Sequence, residues 1–102
     1  MNGLEKRYAA HLDLLKLGGE IVHWEFEPLR FRLADGAWYK PDFFVVRALV
    51  AKGLGFELHE TKGRWMEAAR VRIKVSADRH PFFKFRAVQW NRTEKVWEVE
   101  EF

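Results

Sequence analysis

An acid directly follows a proline in Tyr39-Lys40-Pro41-Asp42, and a second acid stands two residues before an amine in Glu60-Thr61-Lys62. Hard carboxylate oxygens converging from rigid elements are what a divalent cation such as Mg2+ requires, usually with waters and a substrate phosphate. On a β-strand the spacing of Glu60 and Lys62 puts both side chains on one face. If the segment holding Asp42 is a neighbouring strand, Asp42 and Glu60 can grip one cation while Lys62 reaches the phosphate under attack. An acid in the run Phe56-Glu57-Leu58-His59-Glu60 is costly to bury unless it is paired or bound to metal. A plainer reading fits the same residues, with Glu60 and Lys62 as a surface ion pair and Asp42 as a turn acid.

These side chains need elements to carry them. Leu4, Tyr8, Leu12 and Leu15 recur at helical spacing and Gly18-Gly19 follows Leu17, which predicts a helix over Leu4 to Leu17 with one buried face. Glu5 lies about 100° around it from Leu4, at the border of that face, so its carboxylate can reach toward whatever the helix packs on. Ile21 to Phe26 and Leu29 to Leu33 read as strands of a hairpin or meander, with Ala34-Asp35-Gly36 as the next turn. Tyr39 to Val50 reads as a further strand, with Pro41 tolerated at its start. Lys52-Gly53-Leu54-Gly55 turns the chain, and Phe56 to Lys62 is a fourth strand, with Phe56, Leu58, Glu60 and Lys62 on one face and Glu57, His59 and Thr61 on the other. Arg64 to Arg79 reads as a second helix, with Met66, Ala69, Ile73 and Ala77 as its apolar stripe and Val71 and Val75 on a second one. Phe83 to Trp90 and Lys95 to Val99 are the last strands, joined by a polar turn at residues 91–94. The result is an α/β chain in the order helix, three or four strands, helix, one or two strands.

Composition narrows the chemistry. The 102 residues fit one domain, and 48% hydrophobic content with 16% aromatic supplies a core. There is no cysteine, so disulfides, thiolate-held zinc or iron-sulfur clusters and a cysteine nucleophile are excluded. No apolar run is long enough to span a bilayer, and MNGLEKRYAAHL carries charges where a signal peptide needs apolar residues, so a cytoplasmic location is expected. His11, His23, His59 and His80 lack metal-ligand spacing and read as packing or surface residues. No base pattern surrounds Ser76 and no glycine-rich phosphate loop is present, so serine hydrolase and nucleoside-triphosphate chemistry find no support. The net charge of +3 is unevenly placed: residues 62–95 hold ten basic and three acidic residues. A polyanion-binding surface requires such a concentration, although a basic helix facing solvent has the same signature.

Pro41-Asp42 followed by Glu60-Thr61-Lys62 resembles the PD-(D/E)xK nuclease superfamily. Gly19-Glu20-Ile21, Glu27-Pro28, Tyr39-Lys40-Pro41-Asp42-Phe43 and Glu60-Thr61-Lys62-Gly63 also resemble small phage and prophage endonucleases related to Holliday junction resolvases. The likeness covers nearly the whole chain; the long basic N-terminal extension usual in those enzymes is not among its residues. It implies a restriction-endonuclease-like core, a mixed central β-sheet flanked by two helices, in the order α-β-β-β-α-β with additional hairpin strands. It further implies an Mg2+-dependent endodeoxyribonuclease, with Mn2+ able to substitute, in a bacterial host cell and encoded by a phage or prophage.

In that likeness Asp42 and Glu60 hold the metal, with the Thr61 carbonyl as a further ligand, Glu5 completes the site directly or through water, and Lys62 orients the attacking water. Arg70 and Lys74, one turn apart on the second helix, are the expected phosphate contacts, joined by Arg64 and Lys40. Glu25 and Glu27 fit either a second acidic pair near the site or the outer positions of an alternating strand, and the alternation favours the latter. The expected substrate is branched DNA, cut in recombination by a homodimer. Nicked, flap or plain duplex DNA as substrate, and a catalytically inactive nucleic-acid-binding module, are the alternatives.

Overall fold

Asn2 opens the first helix with a capping box, its Oδ1 accepting from the Glu5 amide at 2.8 Å while Glu5 Oε1 accepts from the Asn2 amide at 2.7 Å. The computed structural model describes residues 1–102. α1 (Gly3–Leu17) stops at Gly18, and Gly19 takes the left-handed φ of 83° that lets the chain turn into the sheet. The strands are β1 (Ile21–Phe26), β2 (Phe31–Ala34), β3 (Ala37–Tyr39), β4 (Phe43–Ala48), β5 (Leu54–Lys62), β6 (Lys84–Asn91) and β7 (Val96–Glu101), with α2 (Glu67–Arg79) between β5 and β6.

Five strands form one sheet in the order β1-β4-β5-β6-β7, and β2 and β3 make a separate two-stranded hairpin. Only β5 and β6 run parallel, because α2 carries the chain back over the sheet between them. The sheet is therefore mixed and the fold is α/β, with two helices and an added hairpin.

Each face of the sheet has its own core. Tyr8, Ala9 and Leu12 of α1 pack on Ile21, Phe43, Val45 and Val88, while Ile73 of α2 packs on Leu58, Phe85 and Ala87 together with Phe31 and Tyr39 of the hairpin. Leu12, Phe43, Phe85 and Ile73 are almost fully buried, and each such side chain contributes about 1.5–3 kcal/mol. Period-two alternation along β5 divides its side chains as the sequence predicts, His59 toward α1 and Leu58 toward α2.

Several expectations need correction. β1 and β2 are not a hairpin: β1 pairs antiparallel with β4, Phe26 facing Phe43, and β2 pairs with β3. Short-range pairing across Pro28 lost to burial, since Ile21, Trp24 and Phe26 complete the α1-side core only beside β4. The strand expected over Tyr39 to Val50 is two strands, broken at Lys40-Pro41-Asp42, where the buried Pro41 carries the chain from the hairpin into the sheet. The second helix begins at Glu67 rather than Arg64, with an exposed Met66 as its N-cap, and Val71 faces solvent.

Candidate functional site

β1 and β5 end, and β4 begins, at the same edge of the sheet, and α1 brings its first turn to that place. Phe43 pairs with His59, so Asp42, one residue earlier, continues the register to Glu60. Asp42 is fixed by its neighbour on β5: the Thr61 amide and the Thr61 hydroxyl both donate to Asp42 Oδ2 at 2.8 Å. Glu60 is 9% exposed, and its Oε2 accepts from Lys62 Nζ at 3.0 Å. Its other oxygen, Oε1, is buried and makes no hydrogen bond of ordinary geometry, the Tyr39 hydroxyl being the neutral donor nearest in effect to this carboxyl. Such an orphan is a strongly disfavoured arrangement for a carboxylate unless a cation or water completes it.

Electrostatics mark the same spot. Burial pushes Glu60 up to about 7, and the nearby Asp42 carboxylate adds to the shift against the pull of Lys62. Asp42 is likewise raised, first by burial and then by Glu5, with the two Thr61 hydrogen bonds and Lys62 opposing. Tyr39, buried beside both acids, is pushed well above its usual range by burial and then by their charge.

Glu5, Glu27 and Asp42 each offer a carboxylate oxygen, and these oxygens lie within 4.8 Å of one another. The α1 capping box fixes the Glu5 side chain in this position. Glu27 reaches it because its backbone takes φ 51° at the end of β1, with its amide donating to the Asp42 carbonyl at 2.8 Å. Strand alternation predicts an outward Glu27, but Glu27 follows the last strand residue and is turned inward. The sequence signals were Glu27-Pro28 and its membership of an acidic pair; what hid it was the partner strand, since its nearness to Asp42 exists only once β1 lies against β4. Lys40 Nζ sits 3.0 Å from Glu27 Oε2, at the rim of the cluster.

The expected site residues divide accordingly. Glu5, Asp42, Glu60, Thr61 and Lys62 are brought together, with Glu27 and Tyr39 added, although Glu60 is not one of the three clustered acids. Thr61 contributes an amide and a hydroxyl that hold Asp42. Of the basic residues, Arg70 is engaged within the protein: it pairs with Glu100 and lies over the Trp65 ring at 4.2 Å. Lys74 and Arg64 are exposed.

Behind the site His59, 2% exposed, accepts at Nδ1 from the Tyr8 hydroxyl at 2.5 Å and donates from Nε2 to Glu57 Oε1 at 2.8 Å. Burial holds His59 below its usual range, so the neutral ring is the form present near pH 7, and this tautomer satisfies both neighbours. Glu57 receives Arg47 Nε at 2.7 Å as well, and Arg86 approaches to 3.6 Å. Burial alone raises Glu57, but the bonds from His59 and Arg47 outweigh it and leave its pKa at about 2. No helix is long and apolar enough to cross a membrane. No protein-family model, curated protein or solved structure matches the chain significantly.

Proposed function

We propose that the protein is a divalent-cation-dependent DNA endonuclease of the PD-(D/E)xK type. The single observation that carries the reading is the buried, unpartnered Glu60 Oε1 beside Asp42, with the Lys62 amine on the same strand. Connectivity supports it too. With the β2–β3 hairpin taken as an insertion and β7 as an added edge strand, the remaining order is α1-β1-β4-β5-α2-β6, that of a restriction-endonuclease-like core.

The donor set fits Mg2+ or Mn2+, since every candidate ligand is a hard oxygen. Asp42 and Glu60 would be the principal ligands, and Glu5 and Glu27 would close the site from α1 and from the end of β1. When bound, the cation supplies Lewis-acid polarisation of a phosphodiester and neutralises charge that the crowded carboxylates otherwise direct at the substrate. Thr61 holds Asp42 in one orientation, so little reorganisation is needed when the site fills. Lys62 Nζ, anchored on Glu60, is placed to orient the attacking water and to meet the negative charge that spreads over phosphorus.

The proposed substrate is branched DNA, and a homodimer with a twofold axis would present two sites to the two strands. The decisive experiment compares junction, flap, nicked and plain duplex DNA with Mg2+, Mn2+ or EDTA. Cleavage that requires the cation and falls by roughly 100-fold or more in Asp42→Asn and Glu60→Gln supports the reading. Cation-dependent cleavage by Glu60→Gln at the wild-type rate refutes the site. Nucleic-acid binding without cleavage under any of these conditions leaves the fold as a binding module.

A further inference from the structure

α1 lies over β1 and β5, which leaves β6 and β7 reaching beyond it. Between the helix and these strands is a cleft of about 520 Å³, whose lining includes Trp90, Trp97, Val96, Leu14, Arg7 and Lys95. Beside it is a recess of about 120 Å³ lined by Leu4, Arg7, Lys62, Gly63, Trp90 and Arg92. Arg7 and Trp90 line both, the guanidinium 5.1 Å from the indole centroid, and no acid lines either. The recess is thus a row of cations that ends at Lys62, and the cleft is aromatic with a basic rim.

We propose that these joined concavities bind an unpaired nucleotide of the DNA next to the phosphate to be cut. Its phosphate lies in the recess among Arg7, Arg92 and Lys62, and its base lies in the cleft against Trp90 and Trp97. The inference rests on the nuclease reading and deepens it, by making the substrate class DNA with an unpaired segment at the cut. Three observations on the molecule converge. The charge is complementary to a phosphate: no acid lines the recess, and of its three cations only Lys62 is paired, with Glu60. Indoles stand one side chain away from it, the pairing that single-strand binders use because every base has a π-face and every linkage a charge. The volume of the cleft is within the range of small-molecule sites, roughly 300–1,000 Å³, while a base stacked inside a duplex cannot enter it.

The test measures binding in EDTA, so that cutting does not enter, by anisotropy of a labelled duplex and of the same duplex with a three-nucleotide flap. Arg7 and Arg92 are exposed, so their removal leaves the core intact. The expected result is about tenfold tighter binding of the flap, lost in Arg7→Ala and Arg92→Ala without change in duplex affinity, with a salt slope for the flap reduced by about one in Arg92→Ala. Quenching of indole fluorescence by oligothymidylate should diminish in Trp90→Phe. Equal affinity for flap and duplex overturns the proposal, as does equal weakening of both by Arg7→Ala. A dimer seen by light scattering that Arg7→Glu and Val96→Glu dissociate also overturns it, because a second copy then fills the cleft. Cleavage with intact cation dependence but no flap preference defeats this inference alone; flap preference without any cleavage defeats the nuclease reading alone.

Discussion

Thr61 holds Asp42 with two donors, its amide and its hydroxyl both meeting the same carboxylate oxygen at 2.8 Å. The amide bond depends on how β4 enters the sheet and the hydroxyl bond on the side chain, so the two can be separated. Thr61→Val keeps the first and removes the second. Expected are a stability loss of about 1 kcal/mol and a several-fold weaker Mn2+ affinity by calorimetry, with Thr61→Ser close to wild type. Unchanged Mn2+ affinity in Thr61→Val would show that the hydroxyl does not position the acid.

Glu60 joins a buried unpartnered oxygen to a neighbouring carboxylate, so its charge is a cost to the metal-free fold. Glu60→Gln keeps the shape and removes the charge. In EDTA its stability should lie within about 1 kcal/mol of wild type or above it, and the rise in Tm expected of the wild type with Mn2+ should be absent from the variant. A large loss of stability in EDTA, with the Mn2+ effect retained, would reduce Glu60 to the ion-pair partner of Lys62.

Glu57 supplies a pH dependence of known sign. Its folded pKa of about 2 lies below the ordinary 4.5. Its stabilisation is therefore complete above about pH 4.5 and lost as pH falls through about 2, amounting to on the order of 3 kcal/mol. Glu57→Gln, which strands Arg47 and Arg86, should be clearly less stable than wild type at pH 7, and the gap should close toward pH 2. Denaturant midpoints across this range measure it; a constant gap would reject the assignment.

Arg70 and Lys74 share a helix but not a role. Arg70→Ala breaks the contacts with Glu100 and Trp65 and should lower Tm by several degrees. Lys74→Ala should leave Tm unchanged and reduce the salt slope of DNA binding by about one. Equal slopes for Lys74→Ala and wild type would remove Lys74 from the DNA surface.

What the sequence made legible follows the range of the interactions involved. α1 and its glycine stop, the bounds of β1 and the alternation of β5 are local matters of period and capping, and they are found where periodicity puts them. Pro41-Asp42 and Glu60-Thr61-Lys62 are local patterns as well, and their meeting needed only that two adjoining strands be antiparallel. Glu27 was different. Its place beside Asp42 depends on β1 crossing the hairpin to pair with β4, a choice made by tertiary burial of Trp24 and Phe26. The pairing of Arg70 within the fold is hidden for a similar reason: its partner Glu100 lies on β7, thirty residues along the chain, and charge counts cannot see pairing at that distance.

Tyr8, His59 and Glu57 form one hydrogen-bonded chain inside the α1 side of the sheet, closed at its far end by Arg47. Substitutions there should be epistatic: any one change orphans the next atom in the chain, so the three single variants cost nearly as much as the triple. Since Tyr8 lies one turn from Glu5, drift among homologous chains would be expected to replace this trio together or leave it untouched.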